Sequence, residues 1–161
     1  MKRLLFGVAF GAALLVTALT GRLASPERWE YSEIAAHLLD GRGAFYDYLG
    51  TRYDFYGPAL YPRLLGADLW VSHHEAVMLV LQALMFAATC LVIYRVGTLL
   101  VDPATALLGA MLAAFHPGNL VYVGKLHPQT LDVWLVTLSF LILSKVTMAS
   151  SRVGTVKMVG A

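Results

Sequence analysis

The chain alternates between long stretches without charge and one long polar segment. Leu4 to Gly21, Ala76 to Tyr94 and Pro103 to Gly124 carry no Asp, Glu, Lys or Arg. Pro128 to Ser144 carries only Asp132. A helix needs about 20 apolar residues to cross the roughly 30 Å hydrocarbon core of a bilayer. The pattern therefore predicts about four transmembrane helices. The third is interrupted by His116-Pro117-Gly118-Asn119, and the fourth is the weakest because of Asp132. The first follows Lys2 and Arg3, and a cleaved signal peptide is the competing reading, with small residues near Leu23, Ala24 and Ser25. An uncharged run of about 18 residues exceeds the usual signal core, which favours an uncleaved anchor.

Residues 22 to 75 form the polar segment. It holds eight of the ten carboxylates: Glu27, Glu30, Glu33, Asp40, Asp47, Asp54, Asp68 and Glu75. Ser25-Pro26-Glu27 reads as a helix start, with a capping hydroxyl, a proline suited to the first position and an acid at the positive dipole end. Tyr31, Ile34, Ala35 and Leu38 recur at helical spacing, with Glu30, Glu33, His37 and Asp40 opposite. Gly41 and Gly43 close the segment. This predicts an amphipathic helix over 25–40, too short and too charged to span, lying on the membrane surface. Next come seven aromatic residues from Phe45 to Tyr61, suited to a headgroup-level belt. Gly57-Pro58 and Tyr61-Pro62 punctuate them, and Pro62 opens a second short surface helix. The stretch after Ser150 is weakly patterned and reads as a frayed tail.

The fold class expected is thus all-α integral membrane: about four spans plus an outer loop carrying one or two interfacial helices. The membrane domain covers 1–146, with 22–75 as the outer loop and 147–161 as a cytoplasmic tail. Lys2, Arg3, Arg95, Lys145, Arg152 and Lys157 fall on one side if the spans alternate, and the positive-inside rule makes that side cytoplasmic. Both termini are then cytoplasmic. The acidic loop and the His116–Lys125–His127 region share the outer face.

Composition agrees. The chain is 58% hydrophobic and 14% charged, with a mean hydropathy of +0.67, too apolar for a water-soluble domain. A net charge of +2 without basic runs excludes a nucleic-acid interface. The lone Cys90 excludes an internal disulfide, and no Cys/His cluster suggests a metal. His73-His74 points to different helix faces and is not expected to bind one.

WEYSEIAAHLLDGRGAF, then GPALYPRLLG, then LQALMFAATCLVIYRVGTLL, ATALLGAMLAAFHPGNLVY and HPQTLD stand in this order behind an N-terminal anchor. Over about residues 1 to 146 this resembles the N-terminal part of the GT-C glycosyltransferases that use polyprenyl-phosphate sugars, the protein mannosyltransferase and aminoarabinose transferase type. In that family an acidic residue opens the first outer loop and leads into a pattern like Y-x-x-IA-x-x-L-x-x-G-x-G, with a PPLYP-like segment after it. The family usually shows Asp or Asp-Glu at the catalytic place; Glu30 and Glu27 are the candidates in this chain. The family usually has eight or more spans, so this chain looks like the front third of such an enzyme.

The resemblance implies transfer of a sugar from a polyprenyl-phosphate donor to an acceptor on the outer face of a bacterial inner (plasma) membrane. Its partners would be the lipid-linked donor, membrane lipids and other membrane subunits. No cofactor is expected, and a divalent cation is left open. Such a transfer needs a carboxylate for the acceptor, cations for the phosphate and an apolar groove for the tail. Glu30 is the expected base and Glu27 the reserve. Arg63 and Lys125, with His127, are the expected donor-phosphate residues, through a bidentate guanidinium and a point charge. Each has a plainer alternative: solvated carboxylates, cations that snorkel to headgroups, and, for His127 and His116, helix-end polar contacts. Asp132 is expected to pair with Lys125 or His127. The competing function is a non-catalytic small membrane protein or scaffold, an inactive remnant of such an enzyme. A transporter is disfavoured, because the spans lack paired charges.

Overall fold

The computed structural model describes the backbone of residues 1–55 and 59–159, and side chains as far as residue 148. The Gly57-Pro58 pair lies outside the described residues. The chain is mostly helical. Its elements are α1 (Lys2–Leu19), α2 (Glu30–Leu39), β1 (Phe45–Tyr48), β2 (Thr51–Asp54), α3 (Leu60–Ser72), α4 (Glu75–Leu100), α5 (Pro103–Ala114), α6 (Pro117–Val123) and α7 (Gln129–Val159). Helix α7 thus continues through the stretch after Ser150 that the pattern left frayed.

Helices α1 and α4 and the Gln129–Met148 part of α7 are each long and apolar enough to cross a membrane. The bent pair α5–α6 makes a fourth if taken as one span, with a 53° change of direction. The bend has a local cause. Pro117 lacks an amide hydrogen and pushes the residue before it out of helical geometry. His116 accordingly sits at φ −65°, ψ 120°. The Asn119 side chain donates to the Ala113 carbonyl at 3.2 Å, serving one of the acceptors that the break leaves open.

Helix α4 is the hub, packed against α1, α3, α5, α6 and α7. Its seam with α1 is made of small residues: Ala9 and Ala13 enter one buried cluster with Ala83, Phe86, Ala87 and Cys90. Small side chains let helix backbones approach closely. A Cβ on Gly97 would stand 2.9 Å from the Ala106 Cβ, so α4 and α5 also meet without room to spare. Asp102 caps α5, accepting from the Ala104 and Thr105 amides at 2.9 and 3.0 Å, with Pro103 in the first turn.

Three expectations for the polar segment need correction. Helix α2 begins at Glu30, behind Trp29 at φ −122°, ψ 179°, not at Ser25. The Glu27 backbone is instead extended and forms a parallel bridge with Lys125, so a tertiary partner overrides the Ser-Pro-Glu start. His37, placed by its spacing on the polar side, is buried; it stacks on Phe45 with ring centroids 4.0 Å apart. The apolar stripe holds, with Ile34 and Ala35 fully buried. Gly41 takes a left-handed φ of 68° at the helix end.

The third correction is a β-hairpin within a chain expected to be all-α. Strands β1 and β2 are antiparallel, with Tyr46 opposite Tyr53 and Asp47 opposite Arg52. Leu49 and Gly50 both have positive φ, 52° and 78°, as a tight two-residue hairpin turn requires. Leu-Gly is not a usual turn pair, so no local signal marked the hairpin. The second short helix is present, opening at Leu60 rather than Pro62.

Candidate functional site

One end of the helix group gathers the loop after α1, the start of α2 and the α6–α7 connection. Arg22, Glu27 and Lys125 meet there. The Glu27 carboxylate lies 2.7 Å from Arg22 Nη2 and 3.0 Å from Lys125 Nζ. The Trp29 indole N–H donates to it at 3.3 Å. Arg22 also donates to the Val121 carbonyl at 3.1 Å, and the Leu126 amide to the Glu27 carbonyl at 3.3 Å. Two cations thus share one carboxylate. The hydrogen bond from Lys125, with the charges of Arg22 and Lys125, outweighs desolvation and holds the Glu27 carboxyl below its ordinary value. Glu27 therefore stays ionised, and its basicity is reduced.

The lysine is framed by aromatic rings. Its Nζ lies 5.2 Å from the Trp29 ring centroid and 5.6 Å from that of Tyr122, within cation–π range. The His127 ring sits among Trp29, Tyr31 and Tyr122, with centroids 5.8, 5.4 and 5.4 Å away. Burial lowers the His127 pKa; the charges of Glu30 and Asp132 oppose this and that of Lys125 adds to it. The Gln129 amide donates to His127 Nδ1 at 3.3 Å. The proton of the neutral ring is then on Nε2, and His127 offers a neutral donor rather than a cation.

A buried amide anchors the loop beneath. Gln82, on α4 and fully inaccessible, donates through Nε2 to the Val123 and Lys125 carbonyls, both at 2.8 Å. Its Oε1 accepts from the Tyr61 hydroxyl at 2.7 Å. Burial, reinforced by Tyr31, Asp68 and Glu75, raises the Tyr61 pKa, so its hydroxyl remains a donor. This one side chain ties α3, α4 and the α6–α7 connection together.

Glu30 opens α2 three residues after Glu27. It is half-buried and has no ion pair among the described residues. Its charge is felt by Tyr31, whose pKa burial raises first and Glu30 and Asp132 raise further. A groove of about 730 Å³ opens beside Trp29. Its lining includes Leu23, Ser32, Glu33, His73, His74 and Glu75. Glu75 pairs with Arg28 at 2.9 Å, and Ser32 Oγ is buried without a hydrogen-bond partner.

Of the residues expected from sequence, Glu27, Lys125 and His127 are brought together, with Glu30 adjacent. Arg63 is not. It is exposed on α3 in a separate shallow groove with Leu38, Leu39, Pro62 and Trp70. Lys125 pairs with Glu27 and not with Asp132, which makes no ion pair among the described residues. Arg22 and Gln82 were not anticipated. Arg22 stood at a span boundary, where a snorkelling charge is expected anyway. Gln82 was a visible signal, the one amide in an otherwise apolar run, and polar groups there are retained when a partner needs them. Comparison with family models, with curated proteins and with solved structures finds no significant match to this chain.

Proposed function

We propose that the chain is an integral membrane protein with both termini in the cytoplasm of a bacterial cell. In this reading the Arg22–Glu27–Lys125 cluster, at the outer surface, receives the phosphate of a polyprenyl-phosphate sugar in a GT-C-type glycosyl transfer. The observation that carries the reading is the sharing of one carboxylate by two cations beneath an aromatic frame. The cluster has a surplus positive charge, so an incoming phosphate can replace or join Glu27 as the partner of Lys125. Neutral His127 adds a hydrogen-bond donor. Trp29, Tyr31 and Tyr122 supply apolar faces at the depth where a lipid headgroup lies.

The two carboxylates then divide the work. Glu27, held ionised by its cations, positions Lys125 and Arg22. Glu30, without an ion partner among the described residues, is the carboxylate left to take a proton from an acceptor hydroxyl. A base in that role contributes about 10²–10⁴-fold in rate.

A second reading has its own support. The parallel bridge and the Leu126 amide bond make the same cluster a clasp holding two loops together in a non-catalytic scaffold. Binding separates the two. The chain in lipid nanodiscs is titrated with polyprenyl phosphate and with the neutral polyprenol while Trp29 fluorescence is followed. The donor-site reading expects quenching by the phosphate alone, weakened about tenfold or more by Lys125→Gln. Equal response to the neutral lipid, or none to either, leaves the scaffold. With a sugar-charged donor and an acceptor, Glu30→Gln lowers transfer and spares phosphate binding.

A further inference from the structure

Away from that cluster, α2 and the hairpin place three side chains of metal-ligating type against one another. Glu33 and His37 are one turn apart on α2 and so share a face. Asp47 reaches them from β1. One ligand atom from each lies within 4.8 Å of the other two.

Three observations distinguish this group from a chance meeting of surface acids. First, His37 is only 6% exposed, and its orientation is fixed: Nδ1 lies 2.8 Å from the Phe45 carbonyl and the ring stacks on Phe45. A carbonyl can only accept, so Nδ1 carries the proton and Nε2 keeps an open lone pair. A backbone carbonyl on the far nitrogen is the usual support of a metal-bound histidine. Second, the two carboxylates lack counterions: neither Glu33 nor Asp47 forms an ion pair among the described residues. Arg52, opposite Asp47 in the register, is turned instead over the Phe45 ring at 3.7 Å and toward Asp54 at 3.5 Å. Third, the carboxylates are held near each other by the backbone, because the Asp47 amide donates to Glu33 Oε1 at 2.9 Å.

We propose that Glu33, His37 and Asp47 bind a divalent first-row transition-metal ion. One imidazole and two carboxylates suit zinc or manganese and disfavour magnesium and calcium, which take oxygen ligands. Ligands at about 2.1 Å from a tetrahedral ion stand about 3.4 Å apart. The separation of up to 4.8 Å closes by small rotations of the exposed Asp47 and half-buried Glu33 side chains. Three protein ligands leave at least one position open to water or to an anionic oxygen. The bound ion offsets two unpaired negative charges and fastens the hairpin to α2. This site stands independently of the glycosyl-transfer reading.

The test uses the full chain, purified in detergent and stripped with a chelator. Zinc, manganese and magnesium are titrated calorimetrically, and cobalt is added as a spectroscopic probe of the nitrogen ligand. The expected result is one equivalent bound, weakened at least tenfold by Asp47→Asn and by Glu33→Gln, and unchanged by a His73→Ala/His74→Ala pair. Asp47→Asn keeps the backbone amide and an exposed side chain, so it preserves the fold; circular dichroism checks this. Metal should also slow hydrogen exchange over residues 45–54. Failure to bind, binding indifferent to Asp47→Asn and Glu33→Gln, binding lost with His73 and His74, or magnesium binding as well as zinc would each overturn the proposal.

Discussion

Replacing Gln82 by leucine tests whether the α6–α7 connection is held from below by one amide. The substitution conserves volume and apolarity on an apolar helix, so a purely hydrophobic account of α4 predicts little change. The structure predicts otherwise. Leucine forfeits the bonds to the Val123 carbonyl, the Lys125 carbonyl and the Tyr61 hydroxyl. Side-chain bonds between membrane helices average about 0.6 kcal/mol each, so three amount to about 2 kcal/mol. The Lys125 carbonyl keeps the His127 amide as a donor, but the Val123 carbonyl and the Tyr61 hydroxyl are left dry, and an unsatisfied buried group costs about 1–3 kcal/mol. These are two counts of one loss rather than terms to add, so a loss of about 2 to 6 kcal/mol is expected, against roughly a few tenths gained from the more apolar side chain. Tyr61→Phe removes only one of the bonds and should cost about 1 kcal/mol. The assay is reversible unfolding in mixed micelles with increasing SDS, with the double variant completing the cycle. A Gln82→Leu protein within about 0.5 kcal/mol of the parent would refute the reasoning.

Other outcomes follow from the same geometry. Gly97→Val should destabilise by about 1–3 kcal/mol, because its Cβ meets the Ala106 side chain; the same unfolding assay reads it. The Glu27 carboxyl titrates lower folded than unfolded, so its stabilising contribution is fully present above about 4.5 and is lost as pH falls through the depressed folded value. Glu27→Gln should flatten that acid limb, and an unchanged limb would show that the ion cluster contributes nothing. For topology, Leu49→Cys should react with an impermeant thiol reagent from outside and Lys2→Cys only after permeabilisation; the native Cys90 is fully buried and adds little background.

The helices were legible because their signals are local. The uncharged runs and the Gly41 end of α2 each state their case within a few residues. The break before Pro117 was legible for the same reason. What escaped was set by distant partners. Ser25-Pro26-Glu27 has the chemistry of a helix start, but its backbone is taken by Lys125. His37 falls on the polar side by spacing, yet the hairpin folds over it. The Leu49-Gly50 turn uses a residue that rarely accepts positive φ, so period-2 alternation had no turn signal beside it. For the site, residue types were readable while pairings were not. Lys125 and Glu27 were both marked, but nothing local joined them, and Arg63 carried the same credentials from a helix that faces elsewhere. The Glu33–His37 spacing was available to inspection; Asp47 as its third member was not.

The meeting of Glu27 with Lys125 also has a consequence for biogenesis. The two are 98 residues apart in the sequence. At roughly 5–20 residues per second of synthesis, Glu27 is made about 5 to 20 s before its lysine exists. During that interval Arg22 and Arg28, five and one positions away, are the cations at hand. The pair within the early loop can shield the carboxylate while the following spans are made. Lys125 then arrives last and fixes the loop in place. This end of the protein would be assembled in order of synthesis, with a provisional contact first and the permanent one once Lys125 is made.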